Sequence, residues 1–198
     1  MTKVGLYFGS FNPIHIGHLA IAGYMTEFTD LEQVWFVVSP HNPLKKKEVL
    51  LAGHYRFDMV QLAIENNDKL MASDIEFRLP IPSYTIDTLT FLEERNPHHK
   101  FCLIMGKDNL YTLHKWKNPE ELLKKCPLYV YPRLDAVKPS SPVLEKLISS
   151  AEIHFVDAPL MDISGTFIRN GIKQKKDMSY FLPPKVWKHI TDKYFYEK

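Results

Sequence analysis

The chain has 198 residues, 45% hydrophobic and 24% charged, enough apolar material for one packed domain and unlike a disordered or collagen-like polymer. Lys and Arg number 25 and Asp and Glu 23, a formal charge of +2 that gives no ground for bulk binding of nucleic acid. The two cysteines, Cys102 and Cys126, form no CxxC and cannot alone build a metal site or a disulfide framework, so a reducing, cytoplasmic setting is expected.

Val4 to Phe8 is an apolar run stopped by Gly9-Ser10 and reads as a buried strand. After Asn12-Pro13, apolar residues recur at helical spacing from Ile16 to about Phe28. Val34 to Val38 is a second strand, and no apolar run is longer than its five residues, far short of the ~20 residues that span a bilayer. The N-terminal stretch has no small-residue cleavage site, so no secretion signal is expected either. A basic loop follows (Lys45-Lys46-Lys47), then a helix marked by Tyr55, Met59, Leu62 and Ala63. Met71 to Phe77 alternates like a strand, and Pro80 and Pro82 break the chain.

Ser83 is a fair helix cap, with Ile86, Leu89 and Leu92 behind it. Phe101 to Met105 is a strand stopped by Gly106. Asn118-Pro119-Glu120-Glu121 is a helix start: a cap, proline at the first helical position, then acids at the positive end of the dipole. Leu128–Tyr131 and Ile153–Val156 read as strands, and Val143–Ile148 and Ile163–Ile172 as helices. Pro183-Pro184 opens a last helix carrying Val186, Trp187 and Ile190. Strands alternate with segments long enough for crossovers, which predicts an α/β fold with a doubly wound parallel sheet. Residues 1–198 read as a single domain with a small helical part from about residue 160, with no repeat and no linker.

Gly9-Ser10-Phe11-Asn12-Pro13-Ile14-His15-Ile16-Gly17-His18 falls where an open α/β sheet binds its ligand, past a strand and at a helix N-terminus. Gly9 suits a tight turn, and Gly17 suits a close approach by a ligand or a backbone. His15 and His18, three apart, share one face of the first turn and can donate hydrogen bonds to phosphate oxygens. A metal pair would need a nearby Cys, Asp or Glu, and none follows; ordinary surface or core histidines are the plain alternative. GxGxxG and GxxxxGK[ST] are both absent here.

This string, a strand followed by Gly-Ser-Phe-Asn-Pro and His-Ile-Gly-His, resembles the signature of the HIGH/HxGH nucleotidyltransferase superfamily. Ser83-Tyr84-Thr85-Ile86-Asp87-Thr88-Leu89 resembles the SYTxDTL stretch of nicotinate mononucleotide adenylyltransferases. Gly106-Lys107-Asp108 with Trp116 resembles their GxD…W segment, and Ile163 to Arg169 their ISSTxIR motif. The four segments stand in the family's order. The resemblance implies a Rossmann-like fold and transfer of adenylyl from ATP to nicotinate mononucleotide. Deamido-NAD and pyrophosphate would be the products. The attacking phosphate is already an anion, so neither a general base nor a covalent intermediate is required.

The resemblance further implies that His15, His18 and Arg169 act on the transferring phosphates. Gly9, Ser10, Phe11, Gly106, Asp108, Ser164 and Thr166 would hold ATP. Tyr84, Thr85, Trp116 and Lys45 would hold the mononucleotide, with Trp116 stacking on its ring. Mg²⁺ would arrive with ATP and need no protein cage. Plain readings stand beside these. Asp108 also suits a helix cap, Ser164 or Thr166 an ordinary helix start with a surface Arg169, and Trp116 half-buried packing. A histidine donor that had to be protonated would lose activity at alkaline pH. Asn12 stands where the family has Asp, Leu44 where it has His (His41 or Lys45 replacing it), Gly165 for Ser, and Lys117 for Tyr.

Phosphopantetheine adenylyltransferase is the sibling alternative, and a non-catalytic nucleotide sensor the alternative from another class. Preference between nicotinate and nicotinamide mononucleotide is left open. Tyr194, Phe195 and Tyr196 fit either a packed last helix or a homo-oligomer interface. Nucleic acid and membrane are not expected as partners.

Overall fold

The computed structural model describes residues 1–40, 50–134, 136–137 and 139–197. Its centre is a six-stranded sheet of β1 (Thr2–Gly9), β2 (Gln33–Val38), β3 (Leu70–Ser73), β4 (His99–Gly106), β5 (Leu128–Tyr131) and β6 (Ile153–Phe155). All pairs are parallel and the order is β3-β2-β1-β4-β5-β6. The chain winds outward in one direction from β1 and then returns to start again at β4. The carboxyl ends of β1 and β4 therefore flank the crevice where such sheets bind ligands. The central strands are buried on both faces, which is why their sequences are unbroken apolar runs.

Helices cover both faces. On one side lie α1 (Ile16–Phe28), α2 (Gly53–Ile64), α7 (Gly165–Lys173) and α8 (Pro184–Asp192), packed through Ile21, Met25, Met59, Ile168, Ile172, Val186 and Ile190. On the other lie α3 (Thr85–Arg95), α5 (Pro119–Lys125) and α6 (Pro142–Ser149), packed through Ile86, Leu89, Leu92, Leu122, Leu144 and Leu147. A single turn, α4 (Lys107–Leu110), follows β4 directly. Among the described residues no helix is long and apolar enough to cross a membrane.

Three local expectations are corrected. The alternating stretch from Met71 to Phe77 is a strand only to Ser73, and then becomes a 3₁₀ turn, Ile75–Arg78. Ile75 and Glu76 are both buried, which consecutive residues of a one-faced strand cannot be. Ser83 does not cap α3. Tyr84 holds the cap position, and its carbonyl accepts the N–H groups of Asp87 and Thr88 at 3.0 Å each. Asn118 precedes α5 without a side-chain cap bond; it is left-handed at φ 46°, which Asn tolerates better than most residues.

Candidate active site

Beyond the carboxyl ends of β1, β4 and β5 lies a cavity of about 470 Å³. It is lined by Gly9, Ser10, Phe11, His15, His18, Asp108, Ser164, Thr166 and Arg169, nearly the whole set expected at the phosphate and adenosine end. Gly106 is not on the wall. A Cβ there would collide with Asp108 Oδ1 and Arg133 Cγ, so its bareness lets those two side chains meet. Their ion pair spans 3.7 Å.

The turn after β1 is built differently from its expected design. The left-handed residue is Phe11, at φ 44°, rather than Gly9. Gly9 is needed because the Phe11 ring folds back over it, 2.7 Å from where a Cβ would stand. Gly17 likewise makes room for the His15 ring, whose Nδ1 lies 3.1 Å from the corresponding point. The two histidine rings stack at 3.7 Å between centroids.

His15 N–H donates to His18 Nδ1 at 3.3 Å. That nitrogen is an acceptor, so neutral His18 carries its proton on Nε2, a fixed donor tautomer. His15 is 4% exposed, and burial, helped by the nearby Arg133 guanidinium, pushes its pKa down to about 4. In the ligand-free chain it is therefore neutral near pH 7.

Arg169 and the start of α7 close the other wall. Ser164 caps α7 by accepting the Phe167 N–H at 3.1 Å. Arg169 donates to Thr166 Oγ1 at 3.2 Å and to the Asn12 carbonyl at 2.8 Å. Gly165 fits because a Cβ there would be 2.8 Å from that same carbonyl. Asn12 is more than a turn residue. Its Oδ1 accepts the Tyr196 hydroxyl at 2.8 Å and the Leu51 N–H at 3.3 Å, which an Asp would do equally.

Four residues that the sequence reading missed support the cavity. Arg133 lines it at the end of β5, as Asp108 does after β4; that parallel placement was the one signal available. Tyr7 and Tyr131 lie on its floor, where strand periodicity marks them only as core. Arg56, 1% exposed, donates to the carbonyls of Leu51 (2.8 Å), Ser39 (2.8 Å), Pro40 (3.2 Å) and Ser10. It ties the turns after β1 and β2 together. Because Ser10 C=O faces Arg56, the N–H of the same planar peptide, on Phe11, is directed away from it.

Tyr84, Thr85 and Trp116 do not line the cavity, but they stand near one another. Lys117 pairs with Asp87 at 2.8 Å and sits 4.9 Å over the Tyr84 ring, joining the Trp116 segment to the start of α3. Trp116 is half-buried with its Nε1 unpaired. Lys45, His41 and Leu44 lie outside the described residues. Phe195 and Tyr196 pack on the core, and Tyr194 is exposed.

Residues 6–171 match the cytidylyltransferase-like family. A probable nicotinate-nucleotide adenylyltransferase of Flavobacterium johnsoniae is 55% identical over 196 residues, covering 99% of this chain and 100% of that relative. One of the same name from Bacteroides fragilis is 45% identical over 189 residues, covering 96% and 91%. The solved Plasmodium falciparum nicotinic acid mononucleotide adenylyltransferase, complexed with NaAD, superposes with a TM-score of 0.81. It is 19% identical and covers 100% of this chain and 98% of that one, a likeness of fold. The chain belongs to the cytidylyltransferase-like family and, within it, to the nicotinate-nucleotide adenylyltransferases.

Proposed function

We propose that the chain transfers the adenylyl group of ATP to nicotinate mononucleotide, forming deamido-NAD and pyrophosphate. The observation that carries this reading is the cavity itself. It sets His15 and His18 against Ser164, Thr166 and Arg169, in a chain 55% identical to a relative named for that activity. A phosphate oxygen of the mononucleotide attacks the α-phosphorus of ATP. The bond from that phosphorus to the bridging oxygen breaks, and pyrophosphate leaves with its electron pair.

No proton must be removed from the nucleophile, so the protein's work is orientation and charge stabilisation. His18 donates from Nε2 toward the transferring group. Arg169, with the free amides at the start of α7, takes the β- and γ-phosphates. Asp108 faces the ribose. Tyr84, Thr85 and Trp116 receive the pyridine end, and Lys45 the mononucleotide phosphate. The metal belongs to the substrate, MgATP. Among the described residues no group of three or more His, Cys, Asp or Glu is placed to hold a metal ion.

The test is pyrophosphate release from ATP with nicotinate mononucleotide, nicotinamide mononucleotide and phosphopantetheine in parallel. Release with the first acceptor is expected. Release only with phosphopantetheine, or with none, overturns the reading in favour of the sibling enzyme or a nucleotide sensor.

A further inference from the structure

Two tyrosines on the cavity floor have no part in the mechanism above. Tyr7, on β1, pairs with Ile104 of β4, and Tyr131, on β5, pairs with Gly106 of the same strand, so the two rings straddle β4. Their hydroxyl oxygens meet at 3.1 Å, and the residues are 6% and 7% exposed. The rings meet edge to face at 6.1 Å, and the Tyr7 ring also meets that of His18 at 6.1 Å.

Two hydroxyls carry two protons, and the bond between them uses one. Neither oxygen has a further hydrogen-bond partner among the described residues. One O–H is therefore left as a donor without an acceptor in the protein, at the lining of the cavity. Packing alone does not ask for it, since two phenylalanines would fill the same space. Burial raises both phenol pKa values, so both groups stay neutral donors at physiological pH. Around them stand His15, His18 and Arg133, while Asp108, the carboxylate on the same wall, is engaged by Arg133. An oxygen of a ligand bound in the cavity can supply that acceptor in place of solvent.

We propose that the Tyr7–Tyr131 pair is part of the nucleotide site: one hydroxyl donates to the other, and the second donates to an oxygen of the ribose–α-phosphate unit of the nucleoside triphosphate. The proposal rests on the adenylyl-transfer reading and deepens it. The first hydroxyl polarises the second, so the pair is a stronger donor than either phenol alone.

Tyr7→Phe and Tyr131→Phe test it, with ATP binding measured by calorimetry and Michaelis constants measured for both substrates. The variant that removes the terminal donor raises the Kd for ATP roughly fivefold to tenfold. The other raises it about twofold. The Michaelis constant for nicotinate mononucleotide stays within about twofold of wild type in both. Repeating the titrations with 2′-deoxy- and 3′-deoxy-ATP locates the acceptor. A loss that vanishes with one analogue names that ribose hydroxyl, and a loss that persists with both places the acceptor on the ribose ring oxygen or the α-phosphate. The proposal is overturned if both variants bind ATP as wild type does. It is equally overturned if the constants for both substrates rise together with a lowered melting temperature, the signature of a packing role. Calorimetry with ATP needs no acceptor substrate, so failure of this proposal is separable from failure of the transfer reading, which the pyrophosphate assay decides.

Discussion

The two ends of the proposed site are held in place by different kinds of interaction. At the nucleotide end, the turns after β1 and β2 are fastened by a buried guanidinium with four carbonyl partners, and Arg169 is fixed by Thr166 and the Asn12 carbonyl. At the pyridine end, the start of α3 and the Trp116 segment are joined by Lys117 and Asp87, whose side chains are 41% and 47% exposed. An exposed pair of that kind contributes only about 0–1 kcal/mol and weakens with salt. On the proposed reading the contrast suits the chemistry: the end that would stabilise transition-state charge is fixed by buried hydrogen bonds, and the end that would select the acceptor is bridged by an exposed ion pair.

The largest effect that would break this contrast is at Arg56. Arg56→Met leaves four carbonyls without their donor and should cost about 3 kcal/mol or more. Urea unfolding checks this, and a loss below about 1 kcal/mol would mean that the clamp is not what holds the turns. His18→Ala comes next. Loss of one oriented donor should lower turnover about 100-fold, and wild-type turnover would remove His18 from the chemistry.

The His15 prediction concerns pH. Its folded-state pKa is about 4 and its ordinary value 6.5. Between those values the unfolded chain binds a proton that the folded chain does not. Stability therefore falls as pH drops from 6.5 toward 4, with a slope approaching about 1.4 kcal/mol per pH unit. Denaturation at pH 7 and pH 5 should show a shallower dependence in His15→Gln than in wild type. The smallest effect is expected at the loose end. Trp116→Ala should raise the Michaelis constant for the mononucleotide about tenfold and leave that for ATP nearly unchanged. The reverse pattern would move Trp116 to the adenine.

The layered α/β architecture was legible in the sequence because buried parallel strands must be continuous apolar runs, and β1, β2, β4 and β5 are. The residues that line the cavity were legible as a group because they cluster in short segments at strand ends and helix starts. Local pattern failed where long-range contact decided the outcome. The reason for Gly9 is the ring of Phe11. Met71–Phe77 alternates, yet its chain turns after Ser73 to bury Ile75 and Glu76 side by side. Arg56, Arg133 and the Tyr7–Tyr131 pair look like an ordinary helix, loop and core until the fold brings their partners from elsewhere in the chain.

The Tyr196 hydroxyl on Asn12 joins residues 184 positions apart. During synthesis, the first motif leaves the ribosome early and its buried asparagine then waits for nearly the whole chain to be translated. The turn that carries the histidines cannot reach its final hydrogen-bonded form on a partial chain. A nascent or truncated product ending before Tyr196 would therefore hold every family motif and still lack a finished site.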